Sequence, residues 1–451
     1  MSKISQLRSL GLFDARVPRY TSYPTAMHFS DRVTAASTRE WIAALEPGSR
    51  VSVYAHVPFC RRLCWFCACR TQGTSTLSPV EGYVNTLLQE IDLVAEHLPE
   101  GVQIENLHWG GGTPTLLSAD LIDRLASKIR SVFPFASDAQ FSVEIDPNEV
   151  DEERLDALVA AGMNRASIGV QDFDPDIQAT IGRIQGYELT RDVVEMIRAR
   201  GVKSLNVDLL YGLPGQTQKK MTDSVQKVAS LRPDRVALYG YAHVPWMAKR
   251  QSLIPTSELP SPEERLQLFE TSRVLFAGAG YDEIGIDHFA LPGDSMAIAQ
   301  KSGNLRRNFQ GYTVDRSQNL IGLGASAISR FEGGYAQNDA STSGYQTRVR
   351  NGQLATSRGH RFIGDDLVRG RLIEALMCDF GFGYSRISRE TDVSVARLHQ
   401  ITSGLVQMFP GMLVDTQDAM QILPQGKPLA RIIARALDVY EMSETAHSHA
   451  V

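Results

Sequence analysis

Apolar and polar positions alternate between two periods over residues 51–290. Short runs rich in β-branched or aromatic residues occur at 51–55 (VSVYA), 104–109 (IENLHW), 141–145 (FSVEI), 166–170 (ASIGV), 205–210 (LNVDLL) and 236–239 (VALY). Several are apolar on both faces, as strands buried in a parallel sheet are. Between them the period lengthens to that of a helix. In PVEGYVNTLLQEIDLVAEHL, Val80, Val84, Leu87, Leu88, Ile91 and Val94 mark one face, with Ser78 as the expected cap and Pro79 at the first helical position. Further helices are predicted over 118–132 (opened by Ser118), over DEERLDALVAAG (closed by Gly162), over ELTRDVVEMIRARG (closed by Gly201) and over 262–277. The last opens with capping-box spacing at Ser261 and Glu264.

Strand followed by helix, six times over, predicts an α/β fold with a parallel sheet and right-handed crossovers, either an open sheet or a partial (βα)6 barrel. Ligand chemistry then belongs at the C-terminal ends of the strands. Residues 1–50 are expected to be an N-terminal arm, too polar and proline-broken for a core element. Residues 51–340 hold the barrel and its extension, and 341–451 are expected to form a separate helical domain ending in a frayed tail, SETAHSHAV.

Composition narrows the classes. Hydrophobic residues at 43% and charged residues at 22% describe an ordinary globular chain. A net charge of -5 argues against nucleic acid or an anionic membrane surface as the main partner. The N-terminus is broken by Lys3, Arg8, Asp14 and Arg16 and has no apolar core of a leader, and no run is long enough to span a membrane. The expected setting is the cytoplasm, and the lack of a coiled-coil pattern favours a monomer.

Four of the five cysteines fall between positions 60 and 69, too clustered for a disulfide framework. Cys378, on an apolar helical face, reads as a buried small hydrophobe. Cys60, Cys64 and Cys67 form C-x3-C-x2-C just after the first strand. This places three soft thiolates in one tight loop, as three corners of a 4Fe–4S cube require, and leaves one iron open. A structural zinc site would want a second Cys/His pair, and none at such spacing appears elsewhere. A ferredoxin-type cluster would take Cys69 as a fourth ligand, although its gap from Cys67 is short for reaching another corner.

The other strand ends supply further candidates. Gly110, Gly111, Gly112 and Thr113 follow the second strand, where glycines let backbone approach a ligand and free N–H and C=O groups can bind it. Glu144 ends the third strand, Gln171 follows the fourth, and Arg183 sits in TIGRIQ. Asp208 lies in the apolar fifth strand, where a carboxylate needs a partner or a function. Tyr54 and Phe66 could stack on an aromatic ligand or simply pack in the core.

The cysteine loop at the end of the first strand of a βα series resembles the radical S-adenosylmethionine superfamily. PRYTSYPTA at 18–26, HVPFCRRLCWFCAC, HWGGGTPT, EIDP, GVQDF, DLLYGLPGQT, YAHVPWM, DHFA and RRNFQGYT together resemble its oxygen-independent coproporphyrinogen III oxidase family, densely over 16–335. The resemblance implies a 4Fe–4S cluster on Cys60, Cys64 and Cys67. It implies S-adenosylmethionine contacts at Tyr54, Phe66, Gly111, Gly112, Thr113, Glu144, Gln171, Arg183, Asp208, Ala242 and Ile328, the last two apolar positions at late strand ends. It also implies coproporphyrinogen III as substrate, two of whose propionates become vinyl groups with loss of CO2, together with an unidentified electron donor and acceptor.

Cys69 is a candidate for a role beside the cluster, and Arg16, Arg19, Arg306 and Arg307 for contacts to substrate carboxylates. The arm and the helical domain are expected to cover the barrel mouth. The alternative is a heme-binding chaperone of the same sub-family, without oxidase activity. Cys69 and the Arg19-Tyr20-Thr21 segment weigh against it.

Overall fold

The protein is described by a computed structural model covering residues 3–315, 317–441 and 450. The expected frayed tail lies outside the described residues, apart from Ala450. Twelve strands build the main sheet: β1 (Arg50–Val57), β2 (Gln103–Gly111), β3 (Phe135–Ile145), β4 (Arg165–Gln171), β5 (Ser204–Tyr211), β6 (Arg235–Gly240), β7 (Asp282–Ile284), β8 (His288–Ala290), β9 (Leu320–Leu323), β10 (Ile328–Phe331), β11 (Gly334–Asn338) and β12 (Thr356–Arg361). Their order is β12-β11-β10-β9-β1-β2-β3-β4-β5-β6-β8-β7. The stretch from β9 through β1 to β6 is parallel throughout, and antiparallel strands extend it on both sides.

All six strands expected from the apolar runs form, each longer by a few residues. Their burial explains the runs: Val51, Val53, Ala55 and Val57 of β1 are all fully buried, and so are Ile104 and Trp109 of β2. The helix Ser78–Ala95 buries Val80, Val84, Leu87, Ile91 and Val94 against the sheet. Its start differs from expectation, because Ser78 lies inside the first turn and makes no cap. Ser118, Asp151 and Ser261 do cap their helices, and Ser261 with Glu264 completes a capping box. A further helix, Gln218–Ser230, supplies the crossover from β5 to β6.

Two expectations are corrected. The N-terminal segment is no coreless arm. Leu7, Leu12, Phe13, Tyr20 and Tyr23 are buried in one apolar cluster with Leu372, Leu376, Ile433 and Leu437 from the C-terminal part. Its aromatic and leucine residues find cover only from sequence-distant partners, so local polarity concealed them. The C-terminal part is not purely helical either. It holds a three-stranded sheet of Gly381–Gly383, Ala419–Ile422 and Leu413–Asp415, and β12 still belongs to the main sheet, so the change of architecture falls after residue 361 rather than at 341. Cys378 is fully buried beside Ile284, Ala290 and Met296, as a small apolar side chain would be.

Candidate active site

The cysteine loop is pinned where it leaves and rejoins the sheet mouth. Phe59 and Cys60 pair in parallel with Gln72 and Gly73, and the Gln72 and Thr74 N–H groups donate to the Pro58 and Cys60 carbonyls at 2.8 and 3.0 Å. Trp65 N–H donates to Ile181 across the loop at 2.9 Å. Cys60, Cys64 and Cys67 are all half-buried within this frame.

No trio of His, Cys, Asp or Glu among the described residues closes round one point as ligands of a single ion would. A cube with three separate iron corners asks for wider spacing. The surroundings of Cys64 and Cys67 suit thiolates, whereas those of Cys60 favour the thiol. Arg183 Nη1 lies 3.5 Å from Cys64 Sγ, and the Cys69 N–H donates to Cys67 Sγ at 3.4 Å. A hydrogen bond from the Cys69 thiol is the main cause that brings Cys67 down to about 6, against the opposing effect of burial. Burial holds Cys60 up at about 11, with the Thr113 hydroxyl working the other way. The loop therefore fits a thiolate-bound cluster. Cys69 itself is exposed, and it contacts Cys67.

The glycine turn does something other than expected. A Cβ on Gly112 would stand 2.5 Å from the Phe59 carbonyl oxygen, and one on Gly111 (φ +115°) 2.4 Å from the His56 ring. The N–H groups of Gly111, Gly112 and Thr113 donate to Glu144 Oε2 (3.0 Å), the Val57 carbonyl (2.8 Å) and the Phe59 carbonyl (2.8 Å). The glycines thus let protein approach protein, clamping the cysteine loop onto β2. These three donors are therefore engaged within the protein.

A cavity of about 260 Å³ is lined by residues of β1 to β6, with Glu144, Asp208, His108 and Tyr239 on its wall and no residue of the cysteine loop. Glu144 Oε1 lies 3.4 Å from His108 Nε2. Burial pushes the Glu144 carboxyl up, but His108 and the Gly111 N–H outweigh it and leave the group below its ordinary value. Asp208 accepts one hydrogen bond, from Asn206 Nδ2 at 2.8 Å, and burial raises it to about 7. Tyr54 stacks on His108 with ring centroids 5.7 Å apart, and its hydroxyl meets His56 Nδ1 at 2.9 Å.

Of the expected contacts only Glu144 and Asp208 line this cavity, and the others lie outside its wall. Arg183 donates to the Gly169 carbonyl (2.8 Å) and pairs with Asp146 (3.6 Å). Gln171 ends β4 at φ +70°. Ile328 opens β10 rather than closing a strand, which corrects the expectation, and it follows the turn after β9.

Gln251 had no signal in the sequence. Fully buried in the turn Lys249–Leu253, it donates to the carbonyls of Phe66 (2.7 Å) and Ala242 (3.0 Å) and accepts from Val244 N–H (2.6 Å). One amide thus ties the cysteine loop to the end of β6. Arg250 beside it donates to Thr71 Oγ1 at 2.8 Å.

The cationic candidates separate. Arg19 donates to the Gly240 carbonyl and lies over the Tyr239 ring. The Arg307 side chain is 2% exposed, stacked on Tyr312 and 4.0 Å from Asp287, whereas Arg306 turns to Glu390 at 3.8 Å. Arg16 covers Trp246.

Residues 54–228 match the radical SAM superfamily. Oxygen-independent coproporphyrinogen III oxidase from Paracoccus denitrificans (strain Pd 1222) is 56% identical over all 451 residues, covering 100% of both chains. The protein of the same name from Escherichia coli (strain K12) is 38% identical and covers 94% of this chain and 93% of its own. A solved structure of coproporphyrinogen III oxidase from Escherichia coli, reported as a radical SAM enzyme, aligns with a TM-score of 0.89 at 36% identity. It covers 95% of this chain and 100% of that one.

Proposed function

Because the chain belongs to the oxygen-independent coproporphyrinogen III oxidase family of the radical SAM superfamily, we propose that Cys60, Cys64 and Cys67 carry its 4Fe–4S cluster and that S-adenosylmethionine is seated between the cysteine loop, the glycine turn and Glu144. The reaction is the oxidative decarboxylation, without oxygen, of two propionates of coproporphyrinogen III to vinyl groups, giving protoporphyrinogen IX in heme biosynthesis. Cys60, Cys64 and Cys67 would hold the cluster, which would supply the one-electron reducing chemistry that S-adenosylmethionine-dependent hydrogen abstraction from a propionate requires.

The chain's own residues bind, orient and exclude water. Arg183 offsets thiolate charge beside Cys64. The glycine turn and Glu144 receive the methionine ammonium, Glu144 through its retained negative charge. Asp208, raised by burial to about 7, holds a proton part of the time at neutral pH and then presents an O–H donor. Tyr54, Phe66, Gln171, Ala242 and Ile328 shape the adenosyl side. The N-terminal segment and the C-terminal part close over the mouth through their shared apolar cluster.

The observation that carries this reading is the double clamp on the cysteine loop, from the glycine turn on one side and Gln251 on the other. An unidentified electron donor and acceptor, a monomeric state and a cytoplasmic setting complete the proposal. No helix among the described residues is long and apolar enough to cross a membrane. The heme-carrier alternative is not favoured, since the relatives aligned over the whole chain are named as oxidases.

The test is turnover. Anaerobically reconstituted protein with reductant and S-adenosylmethionine should release protoporphyrinogen IX and 5′-deoxyadenosine from coproporphyrinogen III. Iron-loaded protein that forms neither would overturn the reading.

A further inference from the structure

The turn Lys249–Leu253 is fixed to the cysteine loop by two side chains. Gln251 holds the Phe66 carbonyl, while Arg250 Nη2 donates to Thr71 Oγ1 at 2.8 Å and reaches the Cys69 carbonyl at 3.4 Å. The amide places the loop, and the guanidinium brings a charge to it. Both partners of that guanidinium are neutral oxygens, and among the described residues no carboxylate pairs with it. The local sequence offers none. Residues 60–80 and 241–257 contain Arg61, Arg62, Arg70, Lys249 and Arg250 but no Asp or Glu, in a chain of net charge -5.

The other cations near the loop are paired or screened. Arg183, 3.5 Å from Cys64 Sγ, also stands 3.6 Å from Asp146, and Arg61 stands 3.7 Å from Glu149. Arg62, Arg70 and Lys249 are exposed, where water and salt damp a charge. Arg250 is partly buried. Against the burial that raises Cys60, and alongside the Cys69 hydrogen bond that lowers Cys67, its charge favours both thiolates. On the side of the glycine turn stands the carboxylate of Glu144, held by the Gly111 N–H at 3.0 Å. Arg250 is thus the fixed cation that balances the loop.

An electron added to a thiolate-bound cluster adds negative charge to a half-buried loop, and no bond forms or breaks. How favourable this is depends on the charges and hydrogen bonds around the sulfurs. A nearby guanidinium, ionised at every working pH, stabilises the added charge. We infer that Arg250 is a positioning residue that raises the reduction potential of the proposed cluster, by presenting its guanidinium to the cysteine loop from the turn after β6. The inference rests on the function proposed above and adds the residue that eases entry of the electron from a one-electron donor.

The experiment is an anaerobic redox titration of the full-length reconstituted protein with dithionite, without S-adenosylmethionine, in which electron paramagnetic resonance counts the reduced cluster. An equilibrium reading with a small reductant is indifferent to how a protein donor docks. Arg250→Gln keeps an amide that can meet Thr71 but removes the charge. It should lower the ratio of reduced to oxidised cluster at a fixed potential about 10-fold. For one electron this is a midpoint about 59 mV more negative. Arg250→Lys should recover most of the shift, because charge returns without the planar fork. Iron per chain should match the wild type in both variants. A wild-type midpoint in Arg250→Gln, or an equal negative shift in Arg250→Lys, would overturn the inference and leave Arg250 a structural tie. Should Arg250→Gln fail to retain iron, Thr71→Val carries the test. Loss of the hydroxyl that directs the guanidinium should move the midpoint the same way by a smaller amount, and an unchanged midpoint would overturn the inference. Wild-type protein without a reducible cluster would refute the proposed function, whereas a reducible wild-type cluster with unshifted variants would refute the role of Arg250 alone.

Discussion

The two sides of the cavity that holds Glu144 and Asp208 treat the same chemistry in opposite ways. On the side built by β1, β2 and β3, Glu144 has a backbone N–H and a histidine beside it and stays below its ordinary pKa. On the side built by β4, β5 and β6, Asp208 has one amide donor and rises to about 7. Burial raises both carboxyls, and at Glu144 the histidine and backbone donor outweigh it whereas at Asp208 the single amide does not. The difference equips one wall with an acceptor for a cation and the other with a hydrogen-bond donor.

Replacing the acceptor should break this contrast most severely. Glu144→Gln keeps the shape but loses the charge, and S-adenosylmethionine affinity should fall about 100-fold by equilibrium binding. An unchanged affinity would show that the ionised wall does not face the ligand. Gln251→Ala tests the clamp that joins the two sides. It leaves the Phe66 and Ala242 carbonyls without their shared donor, and unfolding free energy should drop by about 2–3 kcal/mol. A denaturation midpoint equal to that of the wild type would contradict that role.

The smallest effect concerns pH. The folded chain holds a proton on Asp208 that the unfolded chain releases above its ordinary value of 3.8, so the stability linked to this group falls as pH rises from 3.8 to about 7 and is level above that. Asp208→Asn should therefore narrow the difference in unfolding midpoint between acidic and neutral pH. An unaltered difference would place the Asp208 pKa near its ordinary value.

How far the sequence revealed this arrangement depended on whether a residue's partner was local. The six parallel strands were legible because burial on both faces leaves continuous apolar runs, as in VSVYA and FSVEI. The seventh, β9, is only Leu320–Leu323, too short to separate from a loop by period, and it pairs with β1 across most of the chain. Tyr20 and Tyr23 looked exposed among prolines, because the leucines that bury them lie beyond residue 370. At the site, Cys60, Cys64, Cys67 and the glycine run stood out by spacing. What the glycines accommodate was hidden, since His56 and the Phe59 carbonyl reach them only in the folded loop. Gln251 and Arg250 left no trace, as nothing in a lone amide or guanidinium announces which distant carbonyls it will meet.

The proposed chemistry requires a cluster held by three thiolates, with Cys69 beside it. It is tested most directly by iron per chain in Cys64→Ser and Cys69→Ser, reconstituted side by side under anaerobic conditions. The account predicts that Cys69→Ser retains about four irons, as the wild type does, while Cys64→Ser falls well below that. Equal loss in both variants would make Cys69 a ligand and contradict the open iron site on which the proposed chemistry depends.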